Sequence, residues 1–417
     1  MILGYSKEHF WDIFWQLFGA IMNRGAFFCA MILLSYQLSL KEYGELGFLL
    51  LIVNSVSAVI VTPIGINIRN ELQEIDIKHR YDHLAISINL LYLLTIFFGI
   101  LVISYSVFVL NTSLDFIDFF LLILYLILLS SFTFLNYFFA GIGDFKSFNI
   151  RSSFGGILLL ISIVFLRLDS VKEVLIIFIL TMFVSILFTI PFSQLKVFYK
   201  IKSKDTLLSY FRDRKEVFIP VFLQSVVNLP IVGFVQGLII YFDGNFELIG
   251  LITFSNQIIN LVSIVINKVN SVGIVYLNQI KKNSNQFYSK VKKEILLIIL
   301  ISFSGTIFLA LVLFFNKERL SREISQSLPE ISFYLAINVF TYIYWYLQEV
   351  NILMNKNWRV FYINCIWALT VITLSFLTLV LSGTMNLYSY SLIVIGTRLL
   401  LIFFLSKIFT HVKKEII

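Results

Sequence analysis

The sequence is poor in charge. Of its 417 residues only 13% are Asp, Glu, Lys or Arg, against about 25% in an ordinary soluble domain. Meanwhile 59% are hydrophobic and the mean hydropathy is +0.91. Too little polar material is present to cover a water-facing surface, so the solvent of this chain is mostly lipid. Cysteine is scarce too. Cys29 and Cys365 each sit inside an apolar run, far apart in sequence, and read as small buried hydrophobes rather than a disulfide or a metal pair. His9, His79, His83 and His411 have no ligand spacing, so no metal is expected. There is no phosphate-binding glycine loop, zinc spacing or nucleophile elbow, and no large extracytoplasmic loop to hold a soluble catalytic site. These absences argue against an enzyme and against a cofactor. The first apolar run lacks a small-residue cleavage site before or after it and reads as an anchor, not a removable signal.

What the chain has is apolar runs near 20 residues, the length that crosses a bilayer as a helix. They fall at about 12–37, 45–66, 84–110, 116–140, 152–169, 171–194, 217–241, 246–275, 295–315, 330–354, 360–382 and 388–409. The fifth and sixth are separated only by Arg167, Asp169 and Lys172, which predict a tight polar turn. The expected fold is an all-α membrane protein of about twelve transmembrane helices. Basic residues orient it. With both termini in the cytoplasm, 23 of the 32 Lys and Arg fall on the cytoplasmic side, 6 on the other and 3 within the runs. The same asymmetry accounts for the net charge of +8 without a nucleic-acid partner. The longest polar connection, about 195–216, lies midway along the chain and would join two six-helix lobes, 1–200 and 201–417. It reads first as a solvated topogenic loop and second as a lipid-headgroup contact. Two segments fit such a repeat: Phe145-Lys146-Ser147-Phe148-Asn149-Ile150 after the fourth run and Trp358-Arg359-Val360-Phe361-Tyr362-Ile363 after the tenth. Aromatic and basic residues also gather at any membrane interface, which is the competing explanation.

Three cations lie within the runs: Arg24 in the first, Lys268 in the eighth and Arg398 in the twelfth. A charge at the bilayer centre costs about 2.5–3.5 kcal/mol on insertion scales, so such residues face a partner or a watery cavity. Matching acids are few. Asp12 near the start of the first run and Glu349 late in the tenth are the candidates for ion coupling. A surplus of intramembrane cations suits an anionic substrate, such as a phosphate or pyrophosphate. Polar stripes run beside them. Asp12, Gln16, Gly19 and Asn23 share one helix face, as do Asn256, Asn260, Ser263, Asn267 and Asn270, while Gln224, Asn228 and Gln236 mark the seventh run. Each amide alone is better explained as glue between helices. Together, Gln16, Asn23, Gln224, Asn228, Asn256, Asn260 and Asn267 could receive a hydroxyl-rich glycan. Pro220 and Pro230 would bend the seventh run and Pro63 the second, as gate or as static kink. Tyr342, Tyr344, Trp345 and Tyr346 cluster in the tenth run, for packing or for stacking on sugar.

Leu40-Lys41-Glu42-Tyr43-Gly44-Glu45-Leu46-Gly47 is similar to the E-Y-G turn between the first two helices of polysaccharide flippases. Asn136-Tyr137-Phe138-Phe139-Ala140-Gly141 is similar to their Y-F-x-G helix end, and Phe218-Ile219-Pro220 through Gln257 to their seventh and eighth helices. The chain thus resembles, over nearly its whole length, the Wzx-type O-antigen and polysaccharide flippases of the multidrug/oligosaccharidyl-lipid/polysaccharide exporter superfamily. The motifs are degenerate, and order, length and helix count carry the weight. The resemblance implies two pseudo-symmetric six-helix lobes around a central cavity that opens alternately to each side of a bacterial inner membrane. It implies an undecaprenyl-pyrophosphate-linked oligosaccharide as substrate, moved to the periplasmic leaflet, with membrane lipids and the polymerase and chain-length machinery as partners. It places cations of the first and eighth helices, here Arg24 and Lys268, in the cavity; Arg398 has less support from it. A late proline of the eighth helix in relatives is replaced here by Val265-Ile266-Asn267-Lys268. A multidrug or cation exporter of the same superfamily is the alternative, and it would favour acids in the cavity. A membrane polysaccharide polymerase is less favoured, since it would need a large periplasmic loop.

Overall fold

The computed structural model describes residues 11, 14–15, 17–19, 21–72, 77–110, 116–142, 144–190, 204–280, 284–354 and 356–416. Helix succeeds helix, with no strand among the described residues. A π-helical turn, Ile21–Gly25, leads into α1 (Ala26–Gln37). Then come α2 (Leu40–Glu71), α3 (Ile77–Leu110), α4 (Phe116–Ile142), α5 (Phe145–Phe165), α6 (Val171–Thr189), α7 (Lys204–Asp243), α8 (Phe246–Ile280) and α9 (Ser284–Phe315). A short helix, α10 (Arg322–Gln326), precedes α11 (Leu328–Ile337), α12 (Val339–Leu353) and α13 (Asn357–Ser382). The chain closes with α14 (Leu387–Ser391), a second π-helical turn (Leu392–Gly396) and α15 (Arg398–Ile416).

Among the described residues, eleven helices are long and apolar enough to span a bilayer. The tenth expected run is present as two pieces, α11 and α12, each too short to count alone. The break is at Asn338, where the backbone tightens: Asn338 N–H donates to Leu335 O at 3.3 Å and Thr341 N–H to Asn338 O at 2.9 Å, both three residues back. The polar turn expected between the fifth and sixth runs forms as read, with Ser170 capping α6 through Glu173 N–H and Arg167 paired to Asp169 at 3.2 Å.

Two compact units divide the chain. One comprises Met1–Ala30 and Leu46–Gly233, the other Met31–Glu45 and Phe234–Ile417. In the second unit α9 carries Leu296, Leu300, Phe303, Ile307, Leu311 and Phe314 exposed at helical spacing. A continuous apolar stripe of this kind is stable only against hydrocarbon.

The E-Y-G turn has a physical basis. Ser39 and Glu42 form a capping box: Ser39 N–H and Oγ–H donate to Glu42 Oε2 at 3.0 and 2.7 Å, and Glu42 N–H donates back to Ser39 Oγ at 3.2 Å. Tyr43 is fully buried. Gly44 permits contact with the start of α8, since a Cβ there would lie 2.1 Å from Phe246 O. The approach is reciprocal, because a Cβ on Gly250 would lie 2.7 Å from Leu40 O. Each of the three motif residues is therefore fixed by a different requirement.

Gly44→Ala should lower the melting temperature of the purified protein more than Glu42→Ala. The first forces two backbones apart, whereas the second removes a cap worth about 0.5–2 kcal/mol. Thermal unfolding in detergent checks the order.

Candidate functional site

The two intramembrane arginines that the structure places in helices share one backbone feature. Arg24 lies in the π-turn Ile21–Gly25, and Arg398 follows the π-turn Leu392–Gly396 after one intervening residue, Thr397. These are the two π-helical segments among the described residues. Such turns are rare, insert an extra residue into the helix and recur at functional sites.

In the first unit the π-turn is seated on α5. Asn23 Nδ2–H donates to Ser152 Oγ at 3.0 Å, and Gly156 lets α5 come close, since a Cβ there would lie 2.6 Å from Met22 O. Asn23 therefore makes the helix-to-helix hydrogen bond that the glue reading anticipated. Asp12 and Gln16 lie outside the described residues, as do the side chains of Arg24, Asn228 and Lys268. Gln224 is buried in α7.

In the second unit Arg398 is 9% exposed. Its Nη1–H donates to Thr341 Oγ1, and its Nε has no hydrogen-bond partner. It makes no ion pair with a described carboxylate. Aromatic rings surround it instead: Trp367 at 5.3 Å from ring centroid to guanidinium carbon, Tyr344 at 5.8 Å and Trp345 at 6.0 Å. Cation–π contacts give about 0.5–2 kcal/mol each, whereas leaving a buried charge unpaired costs several kcal/mol. The rings offset the burial only in part.

The cage walls are themselves held by polar contacts. Trp367 Nε1–H donates to Thr397 Oγ1 at 3.0 Å, and Tyr344 Oη–H to Asn364 Oδ1 at 2.5 Å. Tyr334 Oη–H donates to Asn256 Oδ1 at 2.7 Å, and its ring stacks on Tyr390 at 6.3 Å. Gln236 Nε2–H donates to the Tyr390 hydroxyl at 3.4 Å, and Tyr342 Oη–H to Ile259 O at 3.0 Å. The hydroxyls of Tyr334, Tyr344 and Tyr390 lie within electrostatic reach of the guanidinium. Helices α7, α8, α11, α12, α13, α14 and α15 thus contribute to one polar network inside a membrane unit. Asn364 Nδ2 and Gln236 Oε1, both buried, remain without partners in it.

The amide stripe of α8 divides. Asn256 joins the network around Arg398, Asn267 is half-buried, and Asn260 is exposed. Glu349 is exposed at the end of α12. The aromatic cluster singled out in the tenth run supplies two cage walls, Tyr344 and Trp345. Thr341, Tyr334, Trp367 and Tyr390 carried no sequence signal, because their partners lie 30 to 154 residues away. Among the described residues no group of three His, Cys, Asp or Glu comes together as a metal site.

No family model and no curated protein matches the sequence. Solved structures do. A multidrug resistance MATE family transporter of the MOP superfamily aligns in its inward-facing conformation over 100% of this chain and 97% of its own, with 14% identity and a TM-score of 0.59. An outward-facing structure described in the same terms aligns over 97% and 94% of the two chains, with 13% identity and a TM-score of 0.62. A MOP superfamily transporter from Pyrococcus furiosus Vc1, for which a reverse polarity of the binding pocket is described as suggesting a different function, aligns over 97% and 95%, with 13% identity and a TM-score of 0.63. The chain has the fold of these transporters, from end to end.

Arg398→Met should leave the melting temperature unchanged or raise it, because an apolar side chain of similar length removes an uncompensated buried charge. A fall of many degrees in detergent would mark the arginine as a structural strut.

Proposed function

We propose that this protein is a transporter that flips undecaprenyl-pyrophosphate-linked O-antigen or related polysaccharide repeat units from the cytoplasmic to the periplasmic leaflet, by alternating access. Its place would be lipopolysaccharide or related polysaccharide biosynthesis at the bacterial inner membrane, with both termini cytoplasmic. The observation that carries the reading is Arg398: a buried guanidinium with no carboxylate partner among the described residues, held among aromatic rings and amides. An unpaired cation retained inside a membrane unit calls for an anion supplied from outside the chain. Rings and amides suit the glycan, since sugars present both apolar faces and hydroxyl edges.

In this reading Arg24, Lys268 and Arg398 neutralise the pyrophosphate, while Gln16, Asn23, Gln224, Asn228, Asn256, Asn260 and Asn267 receive the glycan. Asn23 and Asn256 would have to release Ser152 and Tyr334 to do so. The lipid tail would stay in the bilayer as the headgroup crosses. Arg24 and Arg398, each beside a π-turn, sit where the helix backbone can re-aim a side chain without breaking.

A second reading is export of drugs or organic cations. It is supported by the structural neighbours described as multidrug resistance MATE transporters. The neighbour with a reversed binding-pocket polarity is described as having a different function, so the fold alone does not decide between the two readings.

Arg24→Ala, Lys268→Ala and Arg398→Met should each reduce surface glycan strongly while membrane abundance stays at the wild-type level. Deleting the gene should leave lipid-linked sugar on the cytoplasmic leaflet. Unchanged lipid-linked sugars combined with new drug sensitivity would favour the export reading instead.

A further inference from the structure

We propose that the second unit carries a binding site for a neutral hexose, in a cavity between the α1–α2 turn and the segment Leu320–Glu323. The sugar would belong to the transported glycan, and that role rests on the flippase reading above. The cavity holds about 370 Å³, within the range of small-molecule sites and enough for a pyranose ring. Both of its walls belong to the second unit. The distribution of basic residues expects both segments on the periplasmic side.

The polar lining consists of Ser35, Tyr36, Ser39, Ser321 and Glu323. Two of the serines are fixed by the helix caps they serve. Ser39 Oγ–H donates to Glu42 Oε2 at 2.7 Å, and Ser321 Oγ accepts from Ile324 N–H at 3.4 Å. Ser35 Oγ–H donates to Ile32 O at 2.7 Å within its own helix. Ser35 and Ser39 therefore have lone pairs rather than protons left for a ligand, whereas Ser321 keeps a proton to give. Tyr36 is 49% exposed and brings a ring face and a hydroxyl. Glu323 is exposed and adds two acceptor oxygens.

That set decides the class of ligand. Acceptors from Ser35, Ser39 and Glu323 stand with donors from Ser321 and Tyr36, and a sugar hydroxyl both gives and takes a hydrogen bond. Leu38, Leu40 and Leu320 complete the lining. With the Tyr36 ring they suit the C–H face of a pyranose. A phosphate or pyrophosphate would meet a carboxylate and no lining base. An ammonium headgroup would use the acceptors and leave the donors idle. The sugar and the pyrophosphate are thus met by different residues of the unit, here and in the arginine cage.

The test is saturation-transfer NMR on the full-length protein in an amine-oxide detergent, which carries no sugar headgroup. Glucose, galactose, mannose, rhamnose and N-acetylglucosamine are the probes, with phosphoethanolamine for comparison. At least one sugar should take up saturation from the protein, and Tyr36→Ala and Glu323→Gln should each cut it several-fold. Both side chains are exposed, so neither variant should move the melting temperature. Either variant decides alone should the other fail to fold. No transfer to any of the sugars overturns the proposal. So does a signal that both variants leave intact and Arg398→Met removes, which puts the sugar in the arginine cage. Transfer to phosphoethanolamine alone overturns it in favour of an ammonium headgroup. Sugar transfer that depends on Tyr36 and Glu323 upholds the site even where gene deletion leaves lipid-linked sugar unchanged, a result that overturns the flippase reading alone.

Discussion

In hydrocarbon a peptide group finds no water and must be satisfied by the chain itself. That constraint accounts for the helical backbone, for the caps at its ends and for the side-chain bonds within it. Where α2, α6 and α14 begin, Ser39 with Glu42, Ser170 and Asn386 close the free N–H groups. Inside the membrane segments, hydroxyls turn back on their own helix, as Ser225, Ser255 and Thr181 do on carbonyls four residues earlier. Polar side chains that bond elsewhere join helices, as Asn23 joins Ser152 and Ser130 joins Ser57. Against that economy the unpaired groups stand out: Arg398 Nε in one place and Glu294 Oε2 in another.

The two π-turns belong to the same account. Each adds a residue to a helix that would otherwise be regular, and each lies at an arginine deep in an apolar run. An extra residue breaks the i, i+4 register of side chains on either side of it. Arg398 is buried, as Ile393 and Val394 are, on a helix whose other face carries exposed Leu399, Leu400 and Phe403.

The membrane spans were legible in the sequence because mean hydropathy integrates over 20 residues and needs no tertiary information. The turn at Arg167–Ser170 was legible for the same reason, being a polar interval in an apolar background. The break at Asn338 was not. Nothing in Leu335-Ala336-Ile337-Asn338-Val339 forbids a continuous helix, and the interruption belongs to the packing around it. The arginine was visible as a charge in the wrong place, and the Tyr-rich segment beside Thr341 as an unusual cluster. Their meeting was not visible, since it depends on α12, α13 and α15 folding against each other. In the sequence Glu294 follows Lys290, Lys292 and Lys293 and resembles a residue of a cytoplasmic loop. Its spacing of four from Lys290 was the one available signal of the ion pair between them.

Trp345 and Trp367 are two of only five tryptophans in the chain, and both rings lie within 6.0 Å of the Arg398 guanidinium carbon. Indole emission responds to the field of a nearby charge, so the cage doubles as a built-in optical gauge. Any event that neutralises or displaces that guanidinium alters the light from these two rings, in a protein that needs no dye attached to it.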